Sequence, residues 1–471
     1  MAFAADRLKP QKGMNTVTRP RILVVGAGFA GVECVRRLER RLSPNEADVT
    51  LVTPFAYQLY LPLLPQVASG VLTPQSIALS LRRSSRYRTR IIPGGAIGVD
   101  LKAKVCVVRS ITGEIVNEPY DYIVLAPGSI TRTFDIPGLT DNAFGMKTLA
   151  EAAYIRDHVI SQLDLADASQ DPAELASRLQ FVVVGGGYAG TETAACLQRL
   201  THAAVKRYPR LDPSLIKWHL IDIAPKLMPE LGEKLGRSAQ EVLTRRGIEI
   251  SLGVSIEKAG PEEVTFTNGR VVPTRTLIWT AGVVASPLIA TLGAETVKGR
   301  LAVTAEMCLP GHDGVFALGD SAAVPDLAKG QEGAVCPPTA QHAMRQGRHV
   351  AENLIATLRN QPMRPYVHKD LGLVVDLGGT DAVSKPLGIE LHGLPAQAVA
   401  RGYHWSALRT GVAKARVAAN WMLNAVAGDD FVRTGFQARK PAKLKDFEYT
   451  DAYLTPEQVR KHVEGAGRAQ L

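Results

Sequence analysis

Two glycine clusters constrain this chain more than any other feature: Gly26, Gly28 and Gly31 follow the apolar run ending at Val25, and Gly185, Gly187 and Gly190 follow the run ending at Val184. Each lies between a β-branched strand and an apolar helical stretch, the setting in which G-x-G-x-x-G acquires a mechanism. The first glycine permits a tight turn, the second lets the backbone approach a pyrophosphate, and the third allows close packing of helix on strand. Exposed amides and the positive helix end then hold the phosphates. One such cluster also describes a ligand-free glycine turn. Two in the same context point to a chain that holds two dinucleotides at once.

The residues downstream separate the two sites. After the second cluster a strand ends at Asp222, where a carboxylate accepts both hydroxyls of an adenosine ribose and repels a 2′-phosphate, which favours NAD(H) over NADP(H). A solvated strand-end residue is the plainer alternative. The stretch from Gly190 to Asp222 exceeds the usual spacing of about 20 residues, so extra chain is expected over 201–213. After the first cluster the equivalent strand runs to Thr53, whose hydroxyl bonds a ribose more weakly than a charged acceptor.

At 471 residues the chain exceeds a single core and implies two or three domains. Five cysteines, Cys34, Cys106, Cys196, Cys308 and Cys336, include no close pair, which argues against a zinc site, a disulfide framework and a dithiol redox centre. A reducing, cytoplasmic setting fits best. The first twenty residues carry charge without an apolar segment and read as a loose tail. No stretch approaches the roughly 20 apolar residues that cross a bilayer. A net charge of +10 attracts anionic surfaces, but without zinc-finger spacing, an RNA-binding aromatic motif or a long Lys/Arg run, nucleic acid is a poor partner.

Strand and helix signals alternate from Arg21 onward, which indicates an α/β fold with parallel sheets. Three apolar runs end in small residues: 122–126 before Pro127 and Gly128, 277–280 before Ala281 and Gly282, and 315–318 before Gly319 and Asp320. Such strand ends are where a doubly wound sheet binds ligands. The second glycine cluster falls between the first and third of these runs, so the simplest architecture inserts one Rossmann-type domain into another. The expected boundaries are 21–150 and 275–360 for a split FAD-binding domain and 151–274 for an inserted NAD(H)-binding domain. A smaller, partly helical C-terminal unit with a basic tail takes 361–471.

These residues resemble the type II NADH dehydrogenases, single-subunit flavoproteins that pass electrons from NADH through FAD to a membrane quinone. The resemblance covers roughly 21–385: residues 53–70, TPFAYQLYLPLLPQVASG; GGGYAGTE with Glu192; WTAG ending at Gly282; LGD with Gly319 and Asp320; and PPTAQHAMRQG over 337–347. It implies that Asp320 bonds FAD ribityl hydroxyls or pyrophosphate-bound water, Gly319 allowing close approach; a helix cap is the alternative for Asp320. Gln341 and Gln346, about 140° apart on a helix, are implied to face the isoalloxazine and the quinone entrance. Glu192 complements a helix N-terminus, and the resemblance adds a place facing nicotinamide and flavin. The implied mechanism is hydride transfer from NADH to FAD, then quinone reduction at the other ring face, with no metal.

Two departures stand out. The family's C-terminal helices are strongly apolar, whereas 394–428 carries a helical stripe of Trp405, Leu408, Val412, Ala415, Ala419, Met422 and Val426, interrupted by Gly411 and rich in alanine. With Arg401, Arg409, Lys414 and Arg416 and no acid over 401–428, it suits a peripheral helix on anionic lipid at the cytoplasmic face of the membrane. A helix packed on the protein's own core fits equally. Asp376 stands where the family has a less charged residue, as a proton relay, a sign of another acceptor or a turn cap. A homodimer stays open. Competing activities are a soluble NADH diaphorase, an NAD(H)-responsive flavoprotein sensor and, less favoured for want of paired cysteines, a sulfide:quinone oxidoreductase.

Overall fold

The run Arg21–Val25 lies inside a seven-stranded sheet of order Val315–Ala317, Tyr122–Leu125, Arg21–Val25, Asp48–Thr53, Arg90–Asp100, Val105–Ser110 and Ile115–Pro119. This is the arrangement in the computed structural model, which describes residues 19–84, 88–369, 371–435, 442–447 and 453–468. The N-terminal tail over 1–18 and parts of the basic C-terminal tail lie outside the described residues. The first five strands are parallel and the last two continue antiparallel. Helices cover a parallel sheet on both faces, so Ile22, Leu23, Val24 and Val25 are all buried rather than alternating.

The second sheet is wholly parallel: Ala143–Gly145, Thr276–Trp279, Gln180–Val184, Lys217–Asp222 and Ile248–Leu252. It therefore reaches past both ends of the expected 151–274. Thr276–Trp279, assigned above to the returning first domain, instead lies between two strands of the second sheet. Its buried apolar run would suit either sheet; only the pairing of Phe181 with Thr276 and of Ala143 with Leu277 decides. The chain leaves the first sheet through Ser129–Thr131 and returns through Val283–Ala285, and these two strands pair antiparallel as one connecting ribbon.

Each glycine cluster opens a helix, Phe29–Arg41 and Tyr188–Ala204. The second helix runs through Thr201 and is followed by short turns at Val205–Arg207 and Pro213–Leu215, which account for the extra length before Asp222. Leu149–Asp167 starts at a Thr148–Glu151 capping box, and Pro172–Leu179 at Asp171, whose carboxylate accepts from Ala173 N at 3.0 Å. Ala340–Leu358 starts at Thr339 and packs on Phe29–Arg41 at backbone distance, since a Cβ at Gly347 would lie 2.1 Å from Ala30 O.

The C-terminal unit is a small antiparallel sheet, Val374–Asp376, Ala382–Ser384 and Leu391–His392, followed by helices Gly393–Ala407 and Gly411–Ala427. The stripe over 394–428 is thus two helices. The break is an N-cap, with Thr410 Oγ1 accepting from Ala413 N at 3.2 Å, and Gly411 is the first residue of the new helix. The second helix buries Ala413 and Val417 against the core and leaves Met422, Leu423 and Val426 exposed. Leu408 of the expected stripe is buried as well. Among the described residues no helix is long and apolar enough to cross a membrane. The last helix, Pro456–Arg468, returns to the first sheet, where Val459 packs with Ile97 and Val107.

Candidate active site

The three glycines of each cluster occupy three different environments. Gly26 and Gly185 have φ of +97° and +115°, which a side chain resists. A Cβ at Gly31 would sit 1.9 Å from Gly26 O, and one at Gly190 would sit 1.8 Å from Gly185 O, so each helix rests directly on its loop. A Cβ at Gly28 or Gly187 would meet nothing within 4 Å. Both are N-caps without a side-chain hydrogen bond, so the first-turn N–H groups point toward open space. These are the features a pyrophosphate requires, and both cradles fit a dinucleotide.

The remaining first-sheet residues gather at the carboxyl ends of its parallel strands. Gly26 abuts Ala126, as a Cβ there would lie 2.2 Å from Ala126 O. Thr53 ends its strand buried, its hydroxyl donating to Phe55 O at 3.1 Å. Gly128 O accepts from Ser321 Oγ at 3.0 Å and from Ser286 N at 3.0 Å. Asp320 Oδ2 accepts from Ser129 Oγ at 2.5 Å, and Ser129 in turn accepts from Lys147 Nζ at 2.8 Å. Asp320 is therefore braced against the turn after Gly128. Lys147 and Ser129 escape sequence reasoning, because their link to Asp320 joins distant segments.

In the second cradle, Gly190 also abuts Thr280, whose hydroxyl donates to Val184 O at 2.7 Å. Gly282, with φ of +96°, lies just beyond. Asp222 Oδ2 accepts from Gly186 N and Oδ1 accepts from Ala224 N at 2.6 Å. A carboxylate has about four lone-pair sites, so each oxygen keeps capacity for a ribose hydroxyl.

Gln341 and Gln346 turn to different partners. Gln346 Oε1 accepts from Gly319 N at 2.8 Å, beside the first cradle. Gln341 Oε1 accepts from Leu371 N at 2.8 Å and from His368 Nε2 at 2.9 Å, so His368 carries its proton on Nε2. Glu192, in the first turns of Tyr188–Ala204, accepts on Oε1 from Asp376 N at 2.9 Å. The short segment 371–376 thus joins Gln341, on a helix packed against the first cradle, to Glu192, on the helix of the second.

Burial pushes the Glu192 carboxyl well above the ordinary carboxylate range; the Asp376 N–H opposes this and the Asp376 charge adds to it. Asp376 caps a turn, Oδ1 accepting from Gly378 N at 2.7 Å, and does more. Its oxygens also accept from Gln66 Nε2 at 2.7 Å and Gln397 Nε2 at 3.2 Å, while Trp421 Nε1 donates to Gln66 Oε1 at 2.7 Å. Gln66, Gln397 and Trp421 carry no sequence signal of this role. Cys336, the cysteine nearest the PPTAQ segment, is buried with Sγ 3.7 Å from Pro325 O. Among the described residues no cluster of His, Cys, Asp and Glu is arranged to hold a metal ion.

A wholly parallel sheet and one parallel over five of its seven strands, each with an open glycine cradle, define a protein of the two-dinucleotide class. Residues 20–347 match the pyridine nucleotide-disulphide oxidoreductase family, and the chain belongs to that family, within its type II NADH:quinone oxidoreductase branch. It is 29% identical over 393 residues to type II NADH:quinone oxidoreductase Ndh of Mycobacterium tuberculosis, covering 80% of this chain and 82% of the relative. To NdhA of the same organism it is 31% identical over 332 residues, covering 67% and 69%. The structure of NDH2 from Plasmodium falciparum in complex with NADH shares the fold with a TM-score of 0.80 at 18% identity, over 88% of this chain and 100% of that one.

Proposed function

We propose that this chain is an FAD-dependent NADH:quinone oxidoreductase, with FAD in the cradle of Gly26, Gly28 and Gly31 and NAD(H) in that of Gly185, Gly187 and Gly190. The observation that carries the reading is the bridge over 371–376, a single short segment to which both Gln341, at Leu371, and Glu192, at Asp376, are hydrogen-bonded, linking the helices of the two cradles. FAD, when bound, supplies the redox chemistry, taking a hydride from NADH and giving electrons to quinone. The protein's own residues bind and orient. The first-turn amides after Gly28 and Gly187 hold the two pyrophosphates, and Asp222 holds the adenosine ribose of NADH. Asp320, braced by Ser129, would accept hydrogen bonds from the ribityl hydroxyls or pyrophosphate-bound water of FAD. Gln346 and Gln341 line the flavin and the quinone approach.

The exposed Met422, Leu423 and Val426 of Gly411–Ala427, a helix that also carries Lys414 and Arg416 and no acid, support seating on an anionic membrane surface. The test is stopped-flow flavin absorbance: rapid bleaching by NADH, then rapid recovery on adding a short-chain quinone. Bleaching without recovery would keep the NADH site and turn the reading to a diaphorase or sensor.

A further inference from the structure

Glu192 and Asp376 bring two carboxyl groups together in the interior, and both are buried. Two carboxylates in such a place do not both ionise at neutral pH. Their hydrogen bonds decide which one keeps the proton. Asp376 receives three donors, Gln66 Nε2, Gln397 Nε2 and Gly378 N, all of which favour its anion. Glu192 receives one, the N–H of Asp376 itself, and only on Oε1. An acid that accepts on one oxygen carries its proton on the other, so Glu192 Oε2 is the hydroxyl.

We propose that Asp376 is a positioning residue which, as a fixed buried anion, holds Glu192 as a neutral acid. Glu192 is then a hydrogen-bond donor at the helix start that forms the second cradle, where a dinucleotide already brings negative charge. This rests on the NADH-binding reading above and deepens it. Burial, the largest cause of the raised Glu192 pKa, acts in the same direction.

The other charged and titratable groups nearby do not undo this assignment. On the Glu192 helix, Tyr188 and Cys196 are both pushed up by burial and stay neutral. The cations facing the Asp376 side make their hydrogen bonds elsewhere, and the Arg246 charge, which still attracts Asp376, favours the Asp376 anion. Arg199 pairs with Asp429 at 3.2 Å, Arg246 donates to Leu377 O and Ala195 O, and Arg401 stacks over Trp421. Neither carboxyl group has an ion-pair partner among the described residues.

The test is infrared spectroscopy of the full-length holoprotein across a pH titration. At neutral pH a protonated-carboxyl C=O band is expected that E192Q removes. In D376N its titration midpoint falls by about one pH unit or more, a tenfold loss of proton affinity, while D376E keeps the wild-type midpoint. No E192Q-sensitive band, or a midpoint unmoved by D376N, overturns the proposal. Should D376N not fold, Gln397→Met removes one donor from Asp376 alone. Two donors then still face Asp376 against one on Glu192, so the proton stays on Glu192 and E192Q still removes the band in the Gln397→Met background; a band that survives E192Q there overturns the proposal. Failure of the NADH reading would appear separately, as no bleaching of the flavin by NADH with the infrared pattern intact.

Discussion

Gly187→Ala separates dinucleotide binding from folding. The backbone at Gly187, φ −75° and ψ −171°, is open to alanine, and the added methyl meets no protein atom within 4 Å. Restricting the unfolded chain stabilises by about 0.4–1 kcal/mol, and alanine as N-cap in place of glycine costs a similar amount, roughly 0.5–1 kcal/mol. Net stability should therefore change by less than about 1 kcal/mol. Binding should change far more, because the methyl stands where a pyrophosphate must approach the amides. Losing one or two hydrogen bonds to a charged group, at about 1.5–3 kcal/mol each, weakens NADH by roughly 10- to 10,000-fold. The assay combines NADH titration of flavin bleaching, FAD content per chain and thermal melting. The expected result is full FAD content, an unchanged melting curve and a large rise in the NADH concentration needed. Gly28→Ala should do the reverse and lose FAD. Gly190→Ala, aimed at Gly185 O from 1.8 Å, should instead destabilise the fold by about 1–3 kcal/mol. A Gly187→Ala protein that binds NADH like wild type, or that loses FAD, would refute the assignment of the cradles.

Two other outcomes are expected. Burial lowers the pKa of His158 to about 3 and that of His404 to about 4, so the stability each contributes is complete above the unfolded value near 6.5 and is lost as pH falls through the folded value. For His404 this is about 3 kcal/mol, and urea midpoints measured against pH should show a shallower acid loss in His404→Gln; an unaltered slope would contradict it. Replacing Met422, Leu423 and Val426, which are 68%, 64% and 84% exposed, by serine should leave melting unchanged and weaken co-sedimentation with anionic vesicles roughly 100-fold, at about 1 kcal/mol per side chain. Equal sedimentation would place this face elsewhere.

Local chemistry made much of the molecule readable in advance. A strand, three glycines and a helix specify their own turn, so both cradles follow from contiguous residues, and Asp222 follows from the end of the next strand. The errors lie where distant segments decide. Thr276–Trp279 is an apolar run that either sheet could accept, and only its neighbours place it. The helix break at Thr410 was locally encoded, a capping threonine before Gly411, but the long apolar stripe obscured it. The Asp376 network draws on Gln66, Gln397 and Trp421 from three separate segments, and no spacing in the chain announces that they meet.

The paired ribbon between the two sheets has a bearing on how the chain reaches this state during synthesis. The second sheet is drawn from one continuous span between Ala143 and Trp279. The first waits for Val315–Ala317 to pair with Tyr122–Leu125, and its contact between Ser129 and Asp320 spans 191 residues. Domains fold as units while the ribosome delivers them, so the second sheet is able to complete its strand pairing first, although its core later takes in residues from Val375 to Val417. The glycine cradle that emerges earliest, at Gly26, would then be the later of the two to close.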